Sequence, residues 1–106
     1  MDYQNIVMQL IVNGGNARSK SIEAIRLAKI GKIAEARVLH EQACDDLARA
    51  HEVQAHLIQE EADGKGQNVT LLMVHAQDHL MNAMTVKDLA QEMIDMYEKL
   101  CSDSDK

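Results

Sequence analysis

The absence of proline is the feature that most limits what this chain can fold into. With no Pro among 106 residues, the five Gly are the main residues that can interrupt a helix. Elsewhere apolar residues recur at steps of three and four, the period of an amphipathic helix. The pattern predicts helices over about residues 2–30, 32–62 and 69–101, with a turn at residues 63–67 before the third.

Local signals support these boundaries. Asp2 and Asn68 are residue types that cap helix N-termini, and each precedes a periodic segment. Gly31 follows the first segment and is a plausible C′ residue, where a left-handed backbone is needed. Gly14 and Gly15 interrupt the middle of the first segment, which predicts either a bend or a close contact with another helix.

The composition favours closely packed helices. Hydrophobic residues make up 46% of the chain, yet it has no Trp or Phe and only two Tyr, which gives a sandwich or barrel little to pack with. We therefore expect an all-α antiparallel three-helix bundle in a single domain of residues 1–106. The predicted core-facing positions of the third helix are Leu72, Ala76, His79, Ala83, Val86, Ala90, Met93, Tyr97 and Leu100.

Charge and cysteine content exclude several classes of protein. The net charge of −6 argues against nucleic-acid binding, which needs clustered Lys and Arg. Two scattered Cys are too few for a disulfide framework, so we expect reduced thiols in a cytoplasmic protein. The N-terminal residues do not resemble a signal peptide, and no apolar run approaches the roughly 20 residues of a membrane span.

A narrow polar stripe crosses the most apolar part of the third helix. His75, Asp78, His79 and Asn82 lie at i, i+3, i+4 and i+7, and apolar residues cover nearly all of the remaining circumference. A helix that is apolar on almost every side is normally buried. One three-helix hairpin has too little interior to bury it, so the surplus apolar surface predicts a closed symmetric oligomer.

The spacing of the two histidines admits three interpretations. They can be buried polar groups that hydrogen-bond within the bundle. They can bind a metal ion, although a zinc protease would need Glu where Ala76 stands. One imidazole can also act as a nucleophile, since His can be neutral near pH 7.

Three segments resemble a known family. Residues 74–81, Val-His-Ala-Gln-Asp-His-Leu-Met, are similar to the active-site signature of the lactose/cellobiose-type enzyme IIA of the phosphoenolpyruvate-dependent sugar phosphotransferase system (PTS). Residues 15–19, Gly-Asn-Ala-Arg-Ser, match the same family, as do Ala50-His51 with Gln54. The resemblance spans essentially the whole chain.

The resemblance implies a fold, a function and a metal site. It implies three-helix subunits that assemble as a homotrimer with a nine-helix core. His75 matches the histidine that is phosphorylated by the phosphocarrier HPr and passes the phosphoryl group to a cysteine of the IIB component. The IIB component in turn serves the membrane component IIC in uptake of a β-disaccharide of the cellobiose/chitobiose or lactose type. Asp78 matches the aspartate that meets its two symmetry mates around a divalent cation, for which Mg²⁺ fits the oxygen ligands.

The neighbouring polar residues are candidates for supporting roles. Gln77 lies about 160° around the helix from His75, so it can serve only a neighbouring subunit's site or an interhelical hydrogen bond. His79 is expected as a hydrogen-bonded core-facing residue rather than a second phosphoryl acceptor. His51 and Gln54 can contact the site from the second helix or form a polar pair in the core. The competing function is a non-enzymatic oligomeric scaffold with a structural metal at Asp78.

Overall fold

Three long helices account for almost all of the chain. The computed structural model describes residues 3–104, with side chains as far as residue 102, and contains α1 (Tyr3–Lys29), α2 (Ile33–Ala62) and α3 (Leu71–Ser104). The predicted all-α three-helix fold is confirmed. The expected cap at Asp2 lies outside the described residues.

Contacts along the bundle fix the direction of each helix. The Tyr3 hydroxyl lies 3.3 Å from Thr70 Oγ1 at one end, Gly14 abuts the backbone of His79 in the middle, and Gly31 lies beside Cys101 at the other end. α1 and α3 therefore run parallel, and α2 runs antiparallel to both. The bundle measures 60 × 20 × 19 Å.

Alanine dominates the core and lets the helices approach closely. Ala36, Ala43 and Ala50 in α2 are fully buried at steps of seven residues. The same is true of Ala76, Ala83 and Ala90 in α3. A repeat of seven keeps one side of each helix turned toward its neighbours, as in a left-handed coiled coil. Larger side chains such as Leu10, Leu80 and Ile94 fill the space between these layers.

The prediction of which α3 residues face the core was partly wrong. The buried alanines were predicted correctly, but Leu72, Met93 and Leu100 are exposed. Leu80 and Ile94, which were not among the predicted positions, are fully buried. Adjacent positions differ by about 100° around a helix, and here α1 and α2 lie on the side of Leu80 rather than the side of His79.

Glycines end the first two helices in the same way. The Gly31 N–H donates to the Ala28 carbonyl at 3.0 Å, and the Lys32 N–H donates to the Leu27 carbonyl at 2.9 Å. This is a Schellman motif with Gly31 at C′ and φ of 85°, as the sequence predicts. Gly64, with φ of 78°, ends α2 in an equivalent motif.

The third helix begins two residues later than predicted. Thr70, not Asn68, is its cap, because the Thr70 hydroxyl accepts the Met73 N–H at 3.1 Å. The Asn68 carbonyl instead accepts the Tyr3 hydroxyl at 3.3 Å. Asn68 and Thr70 are both residue types that cap helices, and only Thr70 accepts a backbone N–H of the first turn.

Much of α3 is left uncovered by the other two helices. Its exposed large apolar residues include Leu71, which is 85% exposed, together with Val74 and Met81. Over the residues that the structure describes, none of the three helices is long and apolar enough to cross a membrane.

Candidate active site

The two histidines of the polar stripe form a pair at the surface of α3. His75 is exposed and His79 is half-buried one turn later. Their Nε2 atoms are 3.1 Å apart, and the rings meet edge to face with centroids 4.5 Å apart. A hydrogen bond between two ring nitrogens needs a proton on one of them and a lone pair on the other. Which ring donates in this contact depends on the tautomers of the two rings.

The other two members of the polar stripe point to solvent. Asp78 and Asn82 are exposed, and neither side chain hydrogen-bonds to any described residue of the chain. Among the described residues, no three His, Cys, Asp or Glu side chains come together in a group that could hold a metal ion. A metal at Asp78 would need ligands from other copies of the chain. An exposed carboxylate without an internal partner is compatible with that arrangement.

Gln77 lies on the opposite side of α3 from His75. Its Oε1 accepts a 2.7 Å hydrogen bond from Gln54 Nε2, which ties α2 to α3. Of the two roles predicted for Gln77, the interhelical hydrogen bond is therefore the one that forms within a single chain. Of the two alternatives for His51 and Gln54, the polar pair in the core is wrong, because His51 is exposed. Gln54 instead contacts Gln77, one of the candidate site residues.

α1 approaches the histidine pair closely at its two central glycines. A Cβ atom added to Gly14 would lie 3.3 Å from the His79 carbonyl oxygen and 3.4 Å from Leu80 N. The close helix contact that the sequence allowed is thus present, and α1 continues through it without a break. Beyond this contact, residues of α1 and His79 line a groove of about 450 Å³, namely Gly15, Arg18, Ser19, Ile22, Glu23 and Arg26. We call this the α1–α3 groove.

Two buried ionisable side chains lie outside the predicted site. His40 is buried in α2, with Nε2 at 3.0 Å from the Lys87 carbonyl oxygen and Nδ1 at 3.8 Å from Cys44 Sγ. Asp46 is only 3% exposed and forms ion pairs with Lys20 at 2.7 Å and with Arg49. Asp46 lies three residues after the buried Ala43 in a helix with one apolar side, and that spacing is the only sequence signal for its burial.

Comparison with known proteins identifies the family to which this chain belongs. Residues 5–98 match the family described as "PTS system, Lactose/Cellobiose specific IIA subunit". The chain belongs to this family. It is therefore an enzyme IIA component of the PTS, a class of phosphotransferase components, and the matched region includes every residue of the polar stripe.

Individual relatives agree with the family and differ in the sugar they are named for. The lichenan-specific phosphotransferase enzyme IIA component of Bacillus subtilis (strain 168) is 54% identical over 99 residues, covering 93% of this chain and 90% of that protein. The crystal structure of the cellobiose-specific enzyme IIA from Bacillus anthracis superimposes with a TM-score of 0.91 at 50% identity, covering 96% of this chain and 94% of the other. The solution structure of the Escherichia coli IIA(chitobiose)–HPr complex matches with a TM-score of 0.81 at 40% identity, covering 94% and 97%.

Proposed function

We propose that this enzyme IIA accepts a phosphoryl group from phosphorylated HPr on His75 and passes it to a cysteine of a IIB component. The observation that carries the proposal is the exposed imidazole of His75, whose Nε2 lies 3.1 Å from His79 Nε2. The resemblance of residues 74–81 to the family signature supports the choice of His75. A similar chain from Escherichia coli was solved in complex with HPr, which supports HPr as the donor.

The histidine pair suggests which nitrogen reacts. If the His79 Nε2–H donates to His75 Nε2, the proton of neutral His75 is on Nδ1 and the nucleophilic lone pair is on Nε2. The bond from phosphorus to the HPr histidine then breaks as a bond to His75 Nε2 forms. The displaced His79 N–H can donate instead to a phosphoryl oxygen, where it offsets negative charge. In the second transfer the P–N bond breaks as a P–S bond forms on the IIB cysteine.

The uncovered side of α3 favours a homotrimer as the working form. Leu71, Val74, Asp78 and Met81 are all exposed at alternating steps of three and four, so they share one side of the helix. We propose that this side lies along a threefold axis, where the apolar residues of three copies bury one another. The three-helix subunit would then contribute to a nine-helix core.

Three copies of Asp78 would meet near that axis and repel one another. Their carboxylate oxygens would hold a divalent cation, and Mg²⁺ is the hard ion that such ligands suit. When bound, the ion would supply positive charge that offsets the three carboxylates. His75 itself needs no ligand from that site to accept the phosphoryl group.

The sugar is proposed only by class. Three of the similar proteins are named for lichenan, cellobiose and chitobiose, so a β-linked oligosaccharide of the cellobiose/chitobiose type is the proposed cargo of the whole system. The IIA component would contact HPr and IIB, while sugar passes through the membrane component IIC. The adjacent transporter, rather than any residue of this chain, would determine which sugar is carried.

Incubation with labelled phosphoenolpyruvate, enzyme I and HPr tests the transfer role. We expect an acid-labile phosphoryl adduct on the wild-type chain and on Asn82→Ala, and none on His75→Ala. Asn82 is the matched control because it is exposed on the same polar stripe, two turns from His75. Absence of any adduct on the wild-type chain would instead favour the scaffold with a structural metal.

A further inference from the structure

Gly14 and Gly15 are adjacent in α1, but packing accounts for only one of them. A Cβ on Gly14 would press on the α3 backbone at His79. A Cβ on Gly15 would meet no atom within 4 Å. A glycine inside a helix lowers stability by about 1 kcal/mol relative to alanine. Packing does not explain why this lower stability is accepted at Gly15. The α1–α3 groove offers an explanation, because Gly15 lines it together with His79.

The groove holds a cation that is available to a ligand. Arg26 lies 3.8 Å from Glu23 in an ion pair, so these two charges offset each other. Arg18 is exposed and forms no hydrogen bond or ion pair with any described residue. In a chain of net charge −6, an unpaired guanidinium in the same groove as His79 makes this groove locally favourable for an anion.

The direction of the helix brings Arg18 toward the histidines. Side chains of an α-helix lean toward its N-terminus, so Arg18 extends back over the turn that contains Gly15. Gly15 adds no side chain between Arg18 and His79, and Ser19 adds a hydroxyl at the same level of the groove. Because His79 Nε2 is 3.1 Å from His75 Nε2, a group bonded to His75 Nε2 would stand at the His79 end of this groove.

We propose that Arg18, assisted by the Ser19 hydroxyl, binds the phosphoryl oxygens while the group is held on His75. The inference rests on the proposed function of His75. A guanidinium can give two parallel hydrogen bonds to phosphoryl oxygens, and such charge-assisted bonds are stronger than neutral ones. Arg18 would thus stabilise the phosphorylated chain, and the open space at Gly15 admits the phosphoryl oxygens.

The test compares wild type with Arg18→Gln, Arg18→Lys and a control, Lys29→Gln. Lys29 is an exposed cation at the far end of α1, so its replacement makes the same change in net charge away from the groove. Single-turnover transfer from saturating phospho-HPr is expected to slow about 10- to 100-fold in Arg18→Gln, which corresponds to one charge-assisted hydrogen bond. Arg18→Lys should recover part of the rate, and Lys29→Gln should equal wild type.

Two further readouts separate phosphoryl binding from a merely structural role. The equilibrium fraction of phosphorylated chain should fall in Arg18→Gln, and the ³¹P chemical shift of the phosphohistidine should change. Ser19→Ala should change the same shift by a smaller amount. An unchanged melting temperature in these variants would show that the fold is intact.

Each contrary outcome has a distinct meaning. If Arg18→Gln raises only the KM for phospho-HPr, with the saturating rate and the ³¹P shift unchanged, Arg18 contacts the partner protein and the proposal is overturned. Equal behaviour of Arg18→Gln and Lys29→Gln would overturn it as well. A wild-type chain that takes up no phosphoryl group would instead reject the proposed function of His75.

Discussion

The two adjacent glycines of α1 provide the sharpest test of the packing beside the site. Replacing either by alanine restores helix propensity at an interior position, and the two positions differ only in what the new methyl group meets. At Gly15 it meets nothing within 4 Å. At Gly14 it meets the His79 carbonyl oxygen at 3.3 Å and Leu80 N at 3.4 Å, both of them backbone atoms that cannot rotate away.

The magnitudes follow from these contacts. Gly15→Ala should stabilise the fold by about 0.5–1 kcal/mol, the difference in helix propensity. Gly14→Ala gains the same term but forces α1 and α3 apart, and overpacking a core costs about 1–3 kcal/mol. The free energies of unfolding of the two variants should therefore differ by about 1–3 kcal/mol, with Gly14→Ala the less stable.

Urea unfolding followed by circular dichroism measures this difference. All three proteins must be compared at one concentration, because assembly raises apparent stability by mass action. Equal m-values would show that the variants expose the same surface on unfolding. If Gly14→Ala proved as stable as Gly15→Ala, the close approach of α1 to His79 would be refuted. Gly15→Ala should also transfer phosphoryl groups more slowly than wild type, since its methyl group enters the α1–α3 groove.

Three further changes test other parts of the structure. Thr70→Ala should lower the free energy of unfolding by about 1 kcal/mol through loss of the α3 cap, while Asn68→Ala should change it by much less. Equal losses in urea unfolding would contradict the assignment of Thr70 as the cap. Asp46→Ala should destabilise the fold by about 1–3 kcal/mol in the same assay, because the buried Asp46 carboxylate accepts two charged hydrogen bonds. An unchanged midpoint of urea unfolding would mean that these ion pairs contribute nothing to stability. Asp78→Leu should keep or tighten the proposed trimer in analytical ultracentrifugation, because buried charges are replaced by packed methyl groups, and a purely monomeric variant would count against the axial placement.

Sequence reasoning succeeded where the signal is local. The number of helices follows from the positions of the glycines in a chain without proline. Gly31 was predicted as the C′ residue because the need for a left-handed backbone there arises within a single turn. The placement of His75 and His79 on one side of α3 was predicted from their spacing of four, whereas their contact with each other was not.

The errors arise where a second helix decides the outcome. Whether His79 or Leu80 faces the core depends on the side of α3 that α1 and α2 cover, and periodicity of one helix cannot fix that rotation. The burial of His40 and Asp46 likewise depends on partners distant in sequence, the Lys87 carbonyl and the Lys20 ammonium.

The α1–α3 groove could not be predicted for the same reason. Arg18 and His79 are 61 positions apart, and they share a groove only because α1 and α3 run parallel with Gly14 at their contact. The sequence identified residues 15–19 only by resemblance, with no role attached to them. Gly15, Arg18 and Ser19 share the groove with His79, which gives a physical reason to test a role for them.

The most direct test of phosphoryl transfer through His75 locates the phosphoryl group itself. The chain, labelled with ¹⁵N-histidine, is phosphorylated by phosphoenolpyruvate, enzyme I and HPr, and the spectrum identifies which of its five His carries phosphorus and on which nitrogen. We expect a single phosphohistidine, His75, with the P–N bond at Nε2. Phosphorus on His79 or on any other histidine, or on Nδ1 of His75, would contradict it.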